Sequence, residues 1–345
     1  MEKKDKNSPK NEISVIIPNF NGANFLCKCL SSLQNQTFRN FDVIVVDNGS
    51  TDNSINIIKN NYPWVRLIEL SENTGFAKAC NTGINASQGK YVAILNNDTE
   101  VMPDWLEELY RAIEGDKEAG MAASKILLNM ESREIDSVGM LIYPDGIGRQ
   151  KGRGEIDRKQ FDSDKETLFA HGCAAMYRMD MLKEIGLFDE DFFAYAEDTD
   201  LGLRGRFAGW KAVIAPKAVV YHKYSATTGK YSSLKAMLIE RNRIMAAVKN
   251  FPFTWVCLSP FYTMWRFCFQ LYGVLINKGS SARFKESYSA KEIIIVLLKA
   301  YASALKHIPL MLKKRRQRIK KISNREYIKI LKKYRITAAE LILKD

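Results

Sequence analysis

The stretch "ISVIIPNFNGANFLCKCLSSLQNQTFRNFDVIVVD", Ile13–Asp47, decides the fold class. Its two ends are short apolar runs rich in β-branched residues, and each run ends at polar residues, which is typical of buried strands. Between them, apolar residues recur at the spacing of one helix face: Phe25, Leu26, Cys29, Leu30 and Leu33. The stretch therefore predicts two parallel strands joined by a helix.

The same alternation continues to residue 115. The apolar runs "VRLIEL" and "KYVAILN" predict two more strands, and helices are predicted from "GSTDNSINIIKN", "GFAKACNTGINAS" and "MPDWLEELYRAIEG". Four alternations of strand and helix predict an α/β fold with a doubly wound, mostly parallel sheet and helices on both faces. Ligands of such sheets bind beyond the carboxyl ends of the strands.

Polar loops follow all four predicted strands: Asn19–Asn21, Asp47–Asp52, Ser71–Gly75 and Asn96–Asp98. These loops are the predicted ligand-binding edge of the sheet. A dinucleotide-binding enzyme would have G-x-G-x-x-G after the first strand, whereas "PNFNGANF" contains one glycine. The sequence also lacks the phosphate-binding G-x-x-x-x-G-K-[ST] motif. Both of these enzyme classes are therefore disfavoured.

The positive charge of the chain is concentrated towards its end. The formal net charge is +13, and residues 306–345 contain 14 Lys and Arg against 3 Asp and Glu. A basic segment of this kind binds an anionic surface, either lipid headgroups or nucleic acid. No nucleic-acid-binding motif accompanies it, so an anionic membrane is the predicted partner and nucleic acid is not.

Four separated motifs carry a family resemblance. They contain "VVDNGSTDNS", "NTGFAKACNTGI", "ILNNDTE" and "AYAEDTD", and they lie within residues 14–54, 73–84, 91–106 and 172–210. In content and order they resemble the family 2 glycosyltransferases, over roughly residues 13–231. The resemblance implies a GT-A fold and an inverting enzyme that transfers a sugar from a nucleotide-sugar donor.

The segment "HKYSATTGKYSSLKAMLIERNRIMAAVKNFP", His222–Pro252, is similar to the rhamnosyltransferase-like branch of that family. This branch implies a lipid-linked or cell-surface polysaccharide acceptor, and rhamnose or another deoxyhexose from a dTDP-sugar. A UDP- or GDP-hexose donor is the alternative. Two alternatives of a different class are a basic nucleic-acid-binding protein and a non-catalytic sugar-binding protein, the latter disfavoured by the intact "EDTD" at Glu197–Asp200.

The resemblance also implies the donor-binding residues. Asp47 would accept the imide N–H of uracil or thymine; the alternative is that it supports the "DNGSTD" turn. Asn73 and Asn81 would contact the ribose or the diphosphate. Many relatives carry arginine at the position of Cys80, and Lys78 is either its substitute or a solvated helix residue. The other predicted donor-binding residues are Pro18, Asn19, Asn96 and Asn97.

The segment "NND", Asn96–Asp98, stands where the family has its D-x-D metal motif. Asn96 replaces the first carboxylate, which leaves Asp98 as the predicted ligand of Mg²⁺ or Mn²⁺. These cations are often held by one or two carboxylates plus substrate phosphates. His222 is the second predicted ligand, with a structural histidine as the alternative. His171 is expected either to line the sugar pocket or to be a buried structural residue.

The segment Ala194–Trp210 contains the "ED" pair of the family. Asp198 aligns with the catalytic base, which takes the proton of the acceptor hydroxyl as that hydroxyl attacks. Glu197 is expected to orient the acceptor or the base and to tune its pKa. Asp200 and Arg204 are four residues apart on the predicted helix, and this spacing predicts a structural ion pair.

The C-terminal third is predicted to be helical and to lie on a membrane. Residues 250–277 carry one formal charge, Arg266, but two prolines and this arginine fit a transmembrane span poorly. Within residues 289–314, charged residues recur every seven positions and form one stripe on a helix. An interfacial helix is therefore favoured, followed by a basic run at Lys313–Lys321 for anionic lipid. The charges of the stripe are Glu292, Lys299, Lys306 and Lys313.

The remaining interpretations of residues 250–312 are a soluble helical cap or dimer surface and a true transmembrane span. The expected organisation is a polar tail at 1–12, a glycosyltransferase domain at 13–231 and a helical, amphipathic and polybasic region at 232–345. The first twelve residues lack the apolar core of a signal peptide. We therefore expect a cytoplasmic protein, peripherally associated with the inner face of the cell membrane. The oligomeric state is left open.

Overall fold

The structure, a computed structural model, describes residues 11–223, 232–276 and 288–343. Most of the predicted N-terminal tail, residues 224–231 of the segment with branch resemblance, and residues 277–287 lie outside the described residues. The strands are β1 (Ile13–Asn19), β2 (Phe41–Asn48), β3 (Arg66–Leu70), β4 (Tyr91–Leu95), β5 (Thr99–Val101), β6 (Ala119–Leu127), β7 (Ile135–Ser137), β8 (Met140–Ile142), β9 (Gly148–Gln150), β10 (Glu166–Thr167), β11 (Ala174–Arg178) and β12 (Lys211–His222). The helices are α1 (Ala23–Gln34), α2 (Ser54–Asn61), α3 (Phe76–Ala86), α4 (Trp105–Glu114), α5 (Met179–Ile185), α6 (Glu197–Phe207), α7 (Ser233–Asn250), α8 (Phe253–Leu275), α9 (Ala290–Arg316), α10 (Asn324–Lys333) and α11 (Ala338–Leu343).

The central sheet has the strand order β10-β12-β6-β11-β4-β1-β2-β3, with β5 on β12 and β7 on β6. The first four strands of the chain pair in parallel, and β6 pairs in parallel with β12. Strand β11 runs antiparallel between β4 and β6, and β10 is antiparallel to β12. Most strands along this path therefore point in one direction, which confirms the predicted mostly parallel sheet.

Helices cover both faces of the sheet, as the alternating pattern predicts. Helices α1, α2 and α4 pack against one face through residues such as Leu30 and Trp105. Helices α3, α5 and α6 pack against the other through residues such as Ile84 and Leu203. Strand β1 contributes to both cores, because successive side chains of a strand point to opposite faces. All four predicted strands and all four predicted helices of the first 115 residues are confirmed.

The C-terminal helices pack onto the α/β domain. Tyr327 and Leu331 of α10 are buried in the same apolar cluster as the inner faces of α3 and α6. The backbone N–H of Ile142 donates to the carbonyl of Tyr334 at 3.1 Å, and that of Ile336 donates to Ile142 at 3.0 Å. Residues distant in sequence therefore share one core, and the C-terminal region supports the sheet domain directly.

Helices α8 and α9 nevertheless expose large apolar side chains. Leu271, Leu275 and Leu298 are 63%, 75% and 65% exposed. Among the described residues, α9 is long and apolar enough to cross a membrane, by length and composition alone, and only 11% of its apolar window is buried. Arg266, in the middle of α8, is buried. The membrane-associating role of this region stays a prediction.

Some basic side chains of the run Lys313–Lys321 contact the rest of the protein, and others are exposed to solvent. Lys314 forms ion pairs with Asp189 and Asp191. The guanidinium groups of Arg315 and Arg318 each donate at 2.8 Å to backbone carbonyls at the end of α7. Burial lowers the pKa of Arg318 to about 10. The exposed members are Lys313, Arg316, Lys320 and Lys321, and the four charges of the predicted α9 stripe are also exposed.

Candidate active site

A cavity of about 1320 Å³ opens at the carboxyl ends of β1, β2 and β4. This is the edge at which the polar loops were predicted to meet, because the carboxyl ends of parallel strands lie at the same edge. Nine of the twelve predicted site residues line the cavity: Pro18, Asn19, Asn73, Asn96, Asn97, Asp98, Glu197, Asp198 and His222. The fold therefore gathers most of the predicted site from five separate segments.

The loop after β1 is fixed by a chain of amide hydrogen bonds. Asn97 donates from Nδ2 to Oδ1 of Asn19 at 2.7 Å, and Asn19 donates from Nδ2 to Oδ2 of Asp47 at 2.8 Å. The other oxygen of Asp47 accepts from the backbone N–H of Ser50 at 2.9 Å. Asp47 is fully buried and supports the "DNGSTD" turn. Its role in binding the base stays a prediction.

Asn48 connects the loops that follow β2 and β3. Its Nδ2 donates to Oδ1 of Asn73 at 3.1 Å, and its Oδ1 accepts from the backbone N–H of Thr74 at 2.9 Å. Asn73 in turn accepts from the N–H of Gly75 at 3.0 Å, just before α3. Gly75 has φ +90°, and a Cβ there would lie 2.6 Å from Phe193. These contacts hold the start of α3 close to the cavity wall.

Asp47, Lys78 and Asn81 are the three predicted donor-binding residues that do not line the cavity. Lys78 is exposed on α3. Asn81 is buried, and its amide donates at 2.9 Å to both the carbonyl of Phe188 and Oε1 of Glu190. The side chain of Asn81 thus connects α3 to the loop before α6.

His222 lies between two carboxylates. Its Nδ1 is 2.9 Å from Oδ2 of Asp136, and its Nε2 is 3.4 Å from Oδ1 of Asp98. Burial favours the neutral imidazole, but Cys173 and the two carboxylates outweigh burial and raise the pKa of His222 well above its ordinary value. Asp136 is also buried, which raises its pKa, but the hydrogen bond with His222 lowers it to about 2. The imidazole is thus oriented by Asp136, and its Nε2 lies 3.4 Å from Asp98.

Glu197 and Asp198 are adjacent at the start of α6, but they differ in environment. Asp198 accepts from the backbone N–H of Gly172 at 3.0 Å and from that of Thr199 at 2.6 Å. Glu197 is buried, and its Oε2 has no hydrogen-bond partner. Burial, followed by the charge of Asp198, raises the pKa of Glu197 to about 8. Asp198 therefore already accepts two hydrogen bonds, whereas Glu197 is expected to be protonated at neutral pH.

The backbone that presents this pair is strained. Phe193, Tyr195 and Ala196 have φ values of 63°, 67° and 65°, in the left-handed region that is costly for residues other than glycine. Asn242 of α7 holds this turn, because its buried Nδ2 lies 2.8, 2.8 and 2.6 Å from the carbonyl oxygens of Phe192, Ala194 and Tyr195. A helix of the C-terminal region therefore stabilises the turn that places the carboxylates.

Asp200 anchors α6 from below the site. Its carboxylate accepts from Nε of Arg204 at 2.9 Å, from Nζ of Lys249 at 2.9 Å and from Nδ2 of Asn250 at 2.8 Å. Burial raises the pKa of Asp200, but Lys249 and Arg204 outweigh it and hold this pKa far below its ordinary value. The predicted Asp200–Arg204 ion pair is confirmed, and α7 extends it into a network.

Several buried polar atoms on the cavity wall make no hydrogen bond: Asn96 Oδ1, Asp98 Oδ1, His171 Nδ1 and Glu197 Oε2. Burial lowers the pKa of His171, so its neutral form is favoured. Buried polar groups without partners are rare, because each one loses its hydrogen bonds to water. A polar ligand bound in this cavity would supply the missing partners.

Comparison with known proteins decides the family. The pattern described as Glycosyl transferase family 2 matches residues 14–186, about half of the 345 residues. The chain belongs to glycosyl transferase family 2. The predicted resemblance is thereby confirmed, and the motifs that carry it are those that converge on the cavity.

This family 2 glycosyltransferase is similar to other glycosyltransferases in sequence and in structure. It is 35% identical to the uncharacterized glycosyltransferase YibD of Escherichia coli K12 over 149 residues, which are 40% of this chain and 43% of that protein. It is 28% identical over 246 residues to the N-acetylglucosaminyl-diphospho-decaprenol L-rhamnosyltransferase of Mycobacterium tuberculosis, covering 63% and 78% of the two chains. The mannosyltransferase PcManGT of Pyrobaculum calidifontis, solved with GDP-Man and Mn²⁺, has a TM-score of 0.52 at 16% identity, covering 86% and 87%. The shared architecture is the GT-A fold.

Three residues that shape the glycosyltransferase site were not predicted as site residues from the sequence: Asn48, Asp136 and Asn242. Asn48 lies inside a motif but next to the more prominent Asp47. Asp136 and Asn242 lie in β7 and α7, far along the chain from the residues that they orient. Only packing of the strands and helices reveals their roles.

Proposed function

We propose that this protein is an inverting glycosyltransferase that moves rhamnose or another deoxyhexose from a dTDP-sugar to a lipid-linked or cell-surface polysaccharide acceptor. The observation that carries this proposal is the set of buried polar atoms without partners on the wall of the cavity that Glu197 and Asp198 also line. The acceptor class is supported by the name of the mycobacterial relative, which acts on a decaprenol-linked sugar. A UDP- or GDP-hexose donor is the alternative, supported by the GDP-Man bound to PcManGT.

Asp198 is the proposed catalytic base. Inversion requires an acceptor hydroxyl to attack the donor sugar from the side opposite the leaving nucleotide and to lose its proton during attack. Asp198 lines the cavity, and the N–H groups of Gly172 and Thr199 fix its orientation. Glu197, protonated at neutral pH, would donate a hydrogen bond to the acceptor or to Asp198 and so orient it. A positioned pair of this kind lowers the entropic cost of bringing the reactants together.

The donor is proposed to lie against the loops after β1, β3 and β4. Pro18, Asn19 and Asn73 line this side of the cavity, together with Asn97. Asn96 Oδ1 is available to accept a hydroxyl of the sugar or the ribose. Asp47 is proposed to bind the uracil or thymine of the donor, and its Oδ2 accepts a hydrogen bond from Asn19 at 2.8 Å.

Asp98 and His222 fit a divalent cation, Mg²⁺ or Mn²⁺. Oδ1 of Asp98 is buried without a hydrogen bond, and Nε2 of His222 lies 3.4 Å from it. Asp136 holds Nδ1 of the imidazole, an arrangement found behind many metal-bound histidines. The described residues contain no group of three His, Cys, Asp or Glu side chains that forms a complete metal site. The cation would therefore share its shell with the donor diphosphate, whose negative charge it would neutralise.

Metal dependence has two readouts. A chelator is expected to abolish transfer and to weaken binding of the nucleoside diphosphate, and Mg²⁺ or Mn²⁺ to restore both. Asp98→Ala and His222→Ala are expected to raise the metal concentration needed for nucleotide binding. Tight nucleotide binding that ignores the chelator would mean that protein cations alone neutralise the diphosphate.

The function itself is tested by measuring donor hydrolysis and transfer across a panel of dTDP-, UDP- and GDP-sugars. We expect a dTDP-deoxyhexose to be the preferred donor. Preference for a UDP- or GDP-hexose would replace the proposed donor, and turnover of no nucleotide sugar would contradict the proposal. The protein is proposed to work at the inner face of the cell membrane, where the exposed apolar side chains of α8 and α9 reach a lipid surface.

A further inference from the structure

The cavity that Glu197 and Asp198 line has a polar part and an apolar part. Its volume of about 1320 Å³ exceeds the roughly 300–1,000 Å³ of ordinary small-molecule sites. One end is the polar site described above. The other end is lined by apolar side chains of α8, α9 and α11: Phe267, Leu271, Val274, Ile293, Ile294 and Leu341.

The apolar end is a groove between α8 and α9. On α8 the lining residues Phe267, Leu271 and Val274 recur at helical spacing, so they share one face of the helix. On α9 the lining residues Ile293, Ile294 and Leu297 do the same. Helix α9 packs along α7, and α11 packs against α8. The facing sides of α8 and α9 are thus left to line the cavity.

The groove has a fixed inner end and an exposed outer end. Arg266, one residue before Phe267, donates from Nε to Asp145 at 2.7 Å and pairs with Glu240 at 2.9 Å. This buried network ties α8 to α7 and to the turn between β8 and β9. Farther along, Leu271 is 63% exposed and Ile294 56% exposed, although both line the cavity. Aliphatic surface of this kind in a cavity favours an apolar ligand.

Basic side chains also line the cavity. Arg149 and Lys235 line the cavity, and Lys235 is 5.5 Å above the ring of Tyr195, in the turn before Glu197. The cavity therefore presents carboxyl groups, cations and aliphatic side chains. A sugar linked to an isoprenoid diphosphate has a matching group for each: sugar hydroxyls, a diphosphate and a hydrocarbon chain.

We propose that the groove, defined by Phe267, Leu271, Val274, Ile293, Ile294 and Leu297, binds the hydrocarbon chain of an isoprenoid diphosphate. The proposal rests on the lipid-linked acceptor of the proposed function, and it identifies the part of the protein that binds the lipid chain. The charge complementarity between Arg149, Lys235 and a diphosphate, and the continuity of the groove with the carboxylates, both favour this occupant. Burial of the chain would hold the linked sugar next to Asp198.

The test uses full-length protein in detergent micelles and two sugar-free probes, geranyl diphosphate and decaprenyl diphosphate. Binding is followed by quenching of tryptophan fluorescence, for which α8 supplies Trp255 and Trp265. The groove variants are Leu271→Asn and Ile294→Asn. The matched controls are Leu275→Asn and Ile295→Asn, which alter exposed residues of the same helices that do not line the cavity.

The wild type is expected to bind the long probe more tightly than the short one. Each groove variant is expected to weaken binding of the long probe by about tenfold, because one aliphatic side chain is lost from the contact. The short probe and the control variants are expected to change by less than about twofold. Equal binding of both probes, or equal losses in groove and control variants, would overturn the proposal.

Transfer assays separate this proposal from the proposed function. Tight binding of decaprenyl diphosphate without any transfer to a lipid-linked sugar would support lipid binding in the groove and contradict the proposed lipid-linked acceptor. Transfer to a lipid-free polysaccharide without binding of decaprenyl diphosphate would contradict lipid binding in the groove, while the glycosyltransferase activity itself would stand.

Discussion

At the scale of single residues, the adjacent carboxyl groups of Glu197 and Asp198 have different roles because their surroundings differ. Asp198→Asn keeps the size of the side chain but removes the base, so transfer is expected to fall roughly 10²–10⁴-fold. Donor binding, measured by calorimetry with the nucleotide sugar, is expected to stay within about twofold. Wild-type turnover in this variant would exclude Asp198 as the base.

Glu197 gives the reaction a predicted limit at high pH. Its pKa of about 8 means that it is protonated at pH 7 and ionised above pH 8, where it would place a second negative charge beside Asp198. The other titratable groups facing it, Cys80 and Tyr177, have pKa values raised by burial, so they stay neutral in this range. We expect kcat/KM to fall above about pH 8.

The control for this pH dependence is Glu197→Gln, which carries no charge at any pH. It is expected to be less active than the wild type at pH 7 but to lose the decline above pH 8. A decline that persists unchanged in the variant would assign the limit to another group.

At the scale of elements, α7 determines the shape of the turn before α6. Asn242→Ala would remove the side-chain donor from the carbonyl oxygens of Ala194 and Tyr195, whereas Phe192 would keep its hydrogen bond from Arg241 at 2.9 Å. A buried carbonyl that loses its partner typically costs about 1–3 kcal/mol. We expect kcat to fall at least about tenfold while KM for the donor changes little. Steady-state kinetics across donor concentrations measures both.

A matched variant separates positioning from stability. Asn250→Ala on the same helix removes one buried hydrogen bond to Asp200 but does not touch the turn. Both variants are expected to lower Tm, and only Asn242→Ala is expected to lower kcat beyond the loss of folded protein. Equal kcat values for the two variants would reduce Asn242 to a purely structural role.

At the scale of the whole molecule, membrane attachment cannot be tested cleanly by removing the C-terminal region, because Tyr327 and Leu331 are part of the core. Charge reversal or neutralisation of exposed residues is the better test. Lys313→Gln, Arg316→Gln and Lys320→Gln combined are expected to weaken binding to anionic vesicles roughly fivefold per charge at low salt, since each is worth about 1 kcal/mol near the surface. Sedimentation with vesicles at increasing salt measures this, and the difference should shrink with salt.

The control removes the same charge from α10, as Lys329→Gln, Lys332→Gln and Lys333→Gln. If attraction were due to net charge alone, both triple variants would lose the same affinity. Binding that depends on the end of α9 instead predicts a larger loss for the first set.

The sequence by itself determined the local elements of the first 115 residues and the family motifs. Apolar periodicity and capping residues are local properties, so the strands β1–β4 and helices α1–α4 could be predicted from short windows. The parallel sheet followed from their alternation, and with it the edge where Asn19, Asp98 and the other polar loop residues meet. The motif resemblance added Glu197, Asp198 and His222.

Only the tertiary structure decided which polar side chains face the cavity and which hold the protein together. Asn81 and Asn97 are both buried amides of polar motifs, yet Asn81 connects α3 to the loop before α6, and Asn97 lines the cavity. The basic run likewise contains Lys314, which pairs with Asp189, beside the exposed Lys313. These differences depend on contacts between residues more than 100 positions apart, and no local pattern of charge or hydropathy contains the partner.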